Sequence, residues 1–254
     1  MRRSRWRWWW VPIAALAVLL TVLTVAWLMF QHIPAWYRPP AVAPPNQQRV
    51  RDDLVATLGS FETRLGTEGR PFEFRFSQDQ INAWLAVREA IWPASREWLP
   101  PALSDPFVAI ETEGVRVAAT YRHGGLRTVL SARLELAADP DGVWVRLVDV
   151  AGGELSVPTS WVQEQLAAMD GGAWPAGKRS KLQLGGDPLP QLRRLTDGVV
   201  FPNAWIWENG KQPFRITDLR FVPGTVVVVV QPLPRQGTTR LSSQGPSGPP
   251  QATR

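Results

Sequence analysis

Residues 11–30 read VPIAALAVLLTVLTVAWLMF, an unbroken run without a charged side chain. A helix of about 20 residues, rising about 1.5 Å per residue, crosses the roughly 30 Å hydrocarbon layer of a bilayer. The sequence therefore predicts a membrane anchor over residues 11–31, marked by Val11, Leu20, Trp27 and Phe30. The same stretch predicts that everything after it folds beside a membrane.

The two ends of this run differ in charge. Residues 1–10 contain four arginines and four tryptophans, whereas the first charge after the run is Arg38. Basic residues favour the cytoplasmic side, and Trp and Tyr favour the headgroup zone on both sides. We therefore expect residues 1–10 to be a cytoplasmic basic segment and the C-terminus to lie outside. Trp27, Trp36 and Tyr37 stand at the outer end.

Two other interpretations of the run are open. A cleaved secretory signal has an apolar region of about 7 to 15 residues that ends at a small-residue cleavage site. The run is longer than that, and Ile33-Pro34-Ala35 is a poor cleavage site. A core helix of a soluble domain is the other alternative. We favour a retained single-pass anchor.

The composition excludes several classes of function. The chain has 254 residues, a formal net charge of +6 and no cysteine. The absence of cysteine excludes disulfides, thiolate catalysis and cysteine metal sites. Acidic and basic residues nearly balance between Arg75 and Arg220, so the excess positive charge lies outside the expected fold. Nucleic acid is therefore not an expected partner. The preference for Arg over Lys suggests a bacterial source.

The chain divides into an anchor, a spacer, one domain and a tail. Prolines between Arg38 and Pro45 predict a polyproline linker over residues 32–48. Residues 49–233 then form one extracytoplasmic domain. Residues 234–254 are rich in Gln, Gly, Pro, Ser and Thr, a composition typical of a disordered tail.

The domain is predicted to be α+β. Apolar residues at helical spacing between Val50 and Leu65 predict an amphipathic helix, and the alternating residues 72–76 predict a strand. Ser77 and Gln80 fit a capping box that opens a second helix. Strands with turn residues between them follow, so we expect a curved antiparallel sheet of about seven or eight strands on two or three helices.

Three later stretches complete this prediction. Ser160 and Gln163 fit another capping box before a helix, and residues 170–198 are expected to form a long loop. The five consecutive valines at 226–230 are apolar on both faces of a strand. Such a strand must be covered on both sides, by a helix and by something else.

Two short motifs carry a resemblance to a known group. They are Phe76-Ser77-x-x-Gln80-Ile81-Asn82-x-Trp84-Leu85 and Gly153-x-Leu155-x-Val157-Pro158. With the meander between them, residues 72–231 resemble small bacterial membrane-anchored envelope proteins related to the TULIP (tubular lipid-binding) superfamily. The resemblance implies a strongly curved sheet wrapped along a helix, with an elongated apolar groove for an acyl chain. The chain departs from that group in its short length and in the polar insertion at 170–198.

The sequence predicts neither catalytic residues nor a cofactor or metal site. His32 and His123 are the only histidines and are far apart in the chain. Ser156 and Ser160 lack the Gly-x-Ser-x-Gly context of a nucleophile. Asp139 and Asp141 belong to an Asp-Pro-Asp-Gly turn. We therefore expect a protein that is not an enzyme.

Tryptophan is the remaining signal, because large rings fill either a core or a ligand groove. The candidate groove residues are Trp84, Leu85, Trp161, Trp205, Trp207 and Val228. The first hypothesis is a binding protein that holds a lipid or another apolar ligand in this groove. The second is a non-catalytic structural or assembly partner in a cell-envelope complex. The bilayer is the expected partner in both, with a lipid or an envelope protein as the further partner.

Overall fold

The computed structural model describes residues 7–139, 142–161, 164, 194–203, 205–207 and 212–234. Within them lie four α-helices, a short 3-10 turn and ten strands. The helices are α1 (Arg7–Gln31), α2 (Pro44–Thr67), α3 (Gln78–Ala86) and α4 (Arg88–Ile91), and the turn is Pro93–Trp98. The strands are β1 (Phe72–Ser77), β2 (Leu103–Glu111), β3 (Gly114–His123), β4 (Leu126–Ala138), β5 (Gly142–Gly152), β6 (Leu155–Val157), β7 (Val199–Pro202), β8 (Trp205–Trp207), β9 (Gln212–Val222) and β10 (Thr225–Pro232).

Helix α1 contains the predicted anchor. Its segment Val11–Gln31 is the one helix in the described part of the chain that is long and apolar enough to cross a membrane. Val11, Leu20 and Trp27 are exposed. The hydroxyl groups of Thr21 and Thr24 donate to the carbonyl oxygens of Ala17 and Leu20 one turn earlier. Both threonines are thus satisfied inside the helix, as an apolar environment requires.

Sheet A has the order β1-β10-β9-β8 and is antiparallel throughout. One of its faces packs against α2 through Phe61 and Leu65. Aromatic rings surround Phe61 at this contact. Phe61 lies edge-on to four neighbouring rings at centroid distances of 5.2 to 6.0 Å. These neighbours are Phe72, Phe74, Trp207 and Phe214. This layer is the main core of the domain.

Strand β10, which contains the five valines at 226–230, is covered on both faces, as predicted. Val228 and Val230 pack into the aromatic core. On the other face Val227 is buried between Arg75 and Arg220, its neighbours on the two adjacent strands. Glu73 pairs with both arginines, and Arg220 first, then Arg75, hold the pKa of the Glu73 carboxyl below its usual range. The second cover is therefore a ladder of ion pairs and their aliphatic stems.

Sheet B has the order β2-β3-β4-β5-β6, with β7 also paired to β5. The prediction of a single curved sheet is therefore wrong in its number of sheets and strands. The physical reason is α3, which occupies the edge of β2 where another strand would pair. Asn82 of α3 exchanges two hydrogen bonds with the backbone of Val108, at 2.7 and 2.8 Å. Gln78 accepts a third from the Ile110 N–H at 2.8 Å.

The predicted linker is folded over much of its length. Pro34 and Tyr37 are buried, and α2 begins at Pro44 rather than after residue 48. Proline suits the first turn of a helix because its missing N–H has no partner there in any case. The part of the predicted linker that has neither helix nor contact with the core is thus limited to residues 38–43.

Some predictions lie outside the described residues. They are the basic segment before Arg7, most of the helix after Pro158, the greater part of the 170–198 loop and the tail after Pro234.

The capping box at Ser77 is half formed. The Ser77 hydroxyl accepts from the Gln80 N–H at 3.1 Å, but the Gln80 amide donates to Asp53 and Thr57 of α2 instead of turning back.

Candidate functional site

The end of α1 is seated on the end of sheet B. The Glu154 N–H, after β5, donates to the Met29 carbonyl oxygen at 3.0 Å. The buried Thr128 hydroxyl of β4 donates to the Phe30 carbonyl oxygen. The last carbonyl groups of a helix have no partner inside it. The domain therefore caps its own anchor, and the two are joined by hydrogen bonds as well as by the chain.

Two glycines make this close approach possible. A Cβ atom at Gly152 would overlap the ring of Phe30. A Cβ atom at Gly153 would overlap the carbonyl oxygens of Met29, Phe30 and His32, and Gly153 also has a φ of +61°. Only glycine combines that backbone conformation with the absence of a side chain. We call Phe30, Thr128, Gly152, Gly153 and Glu154 the junction.

Sheet B has an entirely apolar middle on one side, which begins at the junction. Residues paired across an antiparallel sheet share a face, and β4 presents the face on which Leu130 lies opposite Gly152. We define the apolar face by the side chains that this register brings together on β2 to β6. They are Val108, Ile110, Val115, Val117, Ala119, Leu130, Ala132, Leu134, Leu136, Val145, Leu147, Val150, Leu155 and Val157.

This face is only partly covered. Val117 and Leu130 are both 36% exposed, although they lie in the interior strands β3 and β4. Ile110 and Leu147 on the same face are buried. Val117 and Leu130 thus leave a small apolar surface open to water in the middle of the sheet, and we take it as the candidate binding surface. Leu130 is opposite Gly152, so the exposed part starts where α1 ends.

The opposite face of sheet B is charged in its middle and closed near the junction. Arg133 pairs with Glu111 at 3.0 Å, and Arg116 pairs with the same carboxylate at 2.8 Å. Closer to the anchor, Trp36 and Tyr37 cover Phe107, Ala118 and Val129. The chain thus leaves α1 beside the apolar face and crosses to the opposite face within a few residues.

Tyr37 fixes this crossing. Its hydroxyl donates to the Asp105 carbonyl oxygen at 2.5 Å and lies 2.9 Å from the Thr120 hydroxyl. Burial raises the pKa of the Tyr37 phenol above its ordinary value of 10.0. The pKa of the Tyr37 phenol is thus higher in the folded state than in the unfolded state. Its contribution to the free energy of unfolding is complete below the unfolded-state pKa and is lost as the pH rises through the folded-state pKa.

We therefore expect the stability of the domain to fall at alkaline pH, above about 10. The chain has two tyrosines, so Tyr121→Phe leaves Tyr37 as the sole reporter of phenolate absorbance. Its titration midpoint should lie above that of free tyrosine, and Tyr37→Phe should flatten this part of the pH dependence. A midpoint at or below the ordinary value contradicts the structure.

The six predicted groove residues do not line one open channel. Trp207 and Val228 are packed in the aromatic core, and Trp84 continues it through Phe76 at a centroid distance of 6.1 Å. The indole N–H of Trp205 donates to Asn203 at 3.2 Å. Leu85 is half-buried on α3, and Trp161 is 53% exposed.

A cleft of about 400 Å³ does open between α2 and β1, but polar groups line most of it. The lining residues are Ala56, Thr57, Ser60, Arg64, Glu73, Phe74, Arg75 and Gln80. Arg64 already donates to the Glu73 carbonyl oxygen and pairs with Glu68. In the described part of the chain, no three His, Cys, Asp or Glu side chains are placed to hold a metal.

No family model, no curated protein and no solved structure matches this chain. The functional interpretation therefore depends on the junction and the apolar face. Sequence reasoning did not single out Thr128, Gly152, Gly153, Val117 or Leu130 as functional. In the sequence, Leu130, Ala132, Leu134 and Leu136 alternate with Ser131, Arg133 and Glu135, which indicates one apolar face of the strand. The contact between Gly153 and α1, by contrast, joins residues too far apart in the chain for a local signal.

Proposed function

We propose that this chain is a single-pass membrane protein whose outer domain binds the acyl chains of lipids on the apolar face of sheet B. The observation that carries the proposal is the position of the exposed Leu130. It lies opposite Gly152, against which the last apolar residue of α1, Phe30, is packed. An acyl chain that leaves the bilayer beside α1 would meet the apolar face at Leu130, next to the exposed ion pair of His32 and Glu154.

The orientation of the chain in the membrane is part of the same proposal. Arginines before the anchor favour a cytoplasmic N-terminus, which puts the domain on the outer side of the membrane, in a bacterial envelope. The resemblance of residues 72–231 to TULIP-related envelope proteins would also imply the binding of an acyl chain. The candidate surface differs, however, from the predicted groove residues, because Trp207 and Val228 of that set pack in the aromatic core.

Photo-crosslinking tests the proposal. The full-length chain is placed in nanodiscs that contain a phospholipid with a diazirine near the end of its acyl chain, and the labelled residues are mapped by mass spectrometry. We expect labels on β3 and β4 around Val117 and Leu130 in addition to those on α1. Val117→Asp should reduce the labelling of the domain about tenfold, since an apolar contact of about 1.5 kcal/mol is lost.

Val200→Asp is the matched control. Val200 is 61% exposed on β7 and pairs with Trp144, which puts it on the opposite face of sheet B. It should leave the labelling unchanged. Labels confined to α1, or an equal loss in both variants, would refute acyl binding on this face.

A second candidate function is that of an assembly partner. Ile206 is 68% exposed at the centre of β8, the outer strand of sheet A. An exposed apolar residue on an edge strand favours pairing with another protein. In cells, a photo-reactive residue at position 206 should then capture a protein, whereas one at position 117 should capture lipid.

A further inference from the structure

The hairpin between β3 and β4 holds two arginines beside the junction. Thr128 is the residue whose hydroxyl binds Phe30 of α1, and Arg127 precedes it. The turn at Gly124 lies only four residues before Thr128. At about 3.4 Å per strand residue, the turn at Gly124 lies within roughly 14 Å of Thr128.

The charges of this hairpin are poorly balanced within the fold. Arg122 and Arg127 are directly opposite each other in the register, and both are exposed. Like charges at directly opposed positions destabilise a hairpin. Arg122 has one weak partner, Asp105 at 3.4 Å. Arg127 has no acidic group within ion-pair distance among the residues that the structure describes.

A third cation lies on the same side. Arg38 is exposed and follows Tyr37, whose hydroxyl lies 2.9 Å from that of Thr120. Thr120 is two residues from Arg122 on the same face of β3. Electrostatic attraction to a surface fades over about 8 to 10 Å at physiological salt. Arg127 is next in the chain to Thr128, which binds Phe30, so it stands within this range of the point where α1 leaves the bilayer.

We propose that the hairpin 121–128 binds the headgroups of anionic phospholipids in the leaflet where α1 ends. An anion between Arg122 and Arg127 relieves their repulsion, which nothing in the described fold does fully. Headgroup binding holds the end of sheet B against the membrane. The inference rests on the membrane-spanning part of the proposed function and is independent of acyl binding.

The cysteine-free chain makes the test direct. The full-length His123→Cys variant carries a bimane fluorophore at the turn and is placed in nanodiscs with a fixed fraction of lipid whose headgroup bears a nitroxide. The discs contain phosphatidylcholine alone, or phosphatidylcholine with a quarter phosphatidylglycerol. We expect at least about twofold stronger quenching in the anionic discs, and we expect high salt to remove the difference.

Three variants separate headgroup binding from general charge and from folding. Arg122→Gln/Arg127→Gln should lower the quenching in anionic discs to the level of neutral ones, and Arg122→Lys/Arg127→Lys should preserve it. Arg51→Gln/Arg70→Gln removes the same charge at exposed positions elsewhere and should have no effect. Equal quenching in both kinds of disc, or quenching that survives loss of both arginines, overturns the proposal. Acyl-chain labelling of Val117 is a separate readout, so either proposal can fail alone.

Discussion

Gly153→Val is expected to detach the domain from the end of its membrane helix. Valine at a φ of +61° carries a backbone cost of about 1 to 3 kcal/mol. Its Cβ also overlaps the carbonyl oxygens of Met29, Phe30 and His32, so α1 has to move away. We expect loss of the hydrogen bond from Glu154 to Met29 and a total cost of roughly 3 kcal/mol or more at the junction.

Hydrogen exchange of the full-length chain in nanodiscs measures this effect. The amides of Gly153 and Glu154, which donate to Val129 and Met29, should exchange about a hundredfold faster or more, as expected for a loss of roughly 3 kcal/mol. Gly124→Val is a matched control, because Gly124 has a φ of +57° and nothing within 4 Å of an added Cβ. It imposes the same backbone cost without touching α1. Equal exchange in the two variants would mean that Gly153 is merely a turn residue.

The junction is a contact that local sequence patterns do not predict. Two adjacent glycines such as Gly152 and Gly153 are typical of a turn, and Gly153 does have a left-handed conformation. The reason for two small residues lies in α1, whose carbonyl oxygens need the space. Thr128 and Phe30 are likewise 98 positions apart in the chain. Periodicity and turn chemistry report neighbours along the chain, so they predicted the helix and the strand but not their contact.

The aromatic core is a second case in which the sequence pattern predicts an element but not how it packs. The alternation of Phe72, Phe74 and Phe76 predicted a half-buried strand, and β1 has that form. The same rings pack with Trp207 and Val228, two of the residues that were expected to line a ligand groove. How far aromatic rings fill a space depends on how closely two elements approach, and hydrophobic patterning does not encode that distance. The apolar character of the β4 face was readable, whereas its partial exposure was not.

Asn82→Ala should cost the domain about 2 to 4 kcal/mol of unfolding free energy. Asn82 is 2% exposed and makes two hydrogen bonds with Val108, donating to its carbonyl oxygen and accepting from its N–H. Alanine leaves both groups of an edge strand unpaired in a buried place, and each unsatisfied group costs about 1 to 3 kcal/mol. Chemical unfolding of the full-length chain in detergent measures the loss.

Gln78 provides a graded comparison on the same strand. Its side chain accepts a single bond, from the Ile110 N–H, so Gln78→Ala should cost about half as much. Asn82→Asp keeps the acceptor for Val108 N–H but turns a carboxylate toward the Val108 carbonyl oxygen, and repulsion there should make it at least as harmful as alanine at neutral pH. The Val108 amide should exchange faster in both Asn82 variants. If Asn82→Ala and Gln78→Ala were equally mild, α3 would lie beside β2 without closing its edge, and the separation of the two sheets would need another cause.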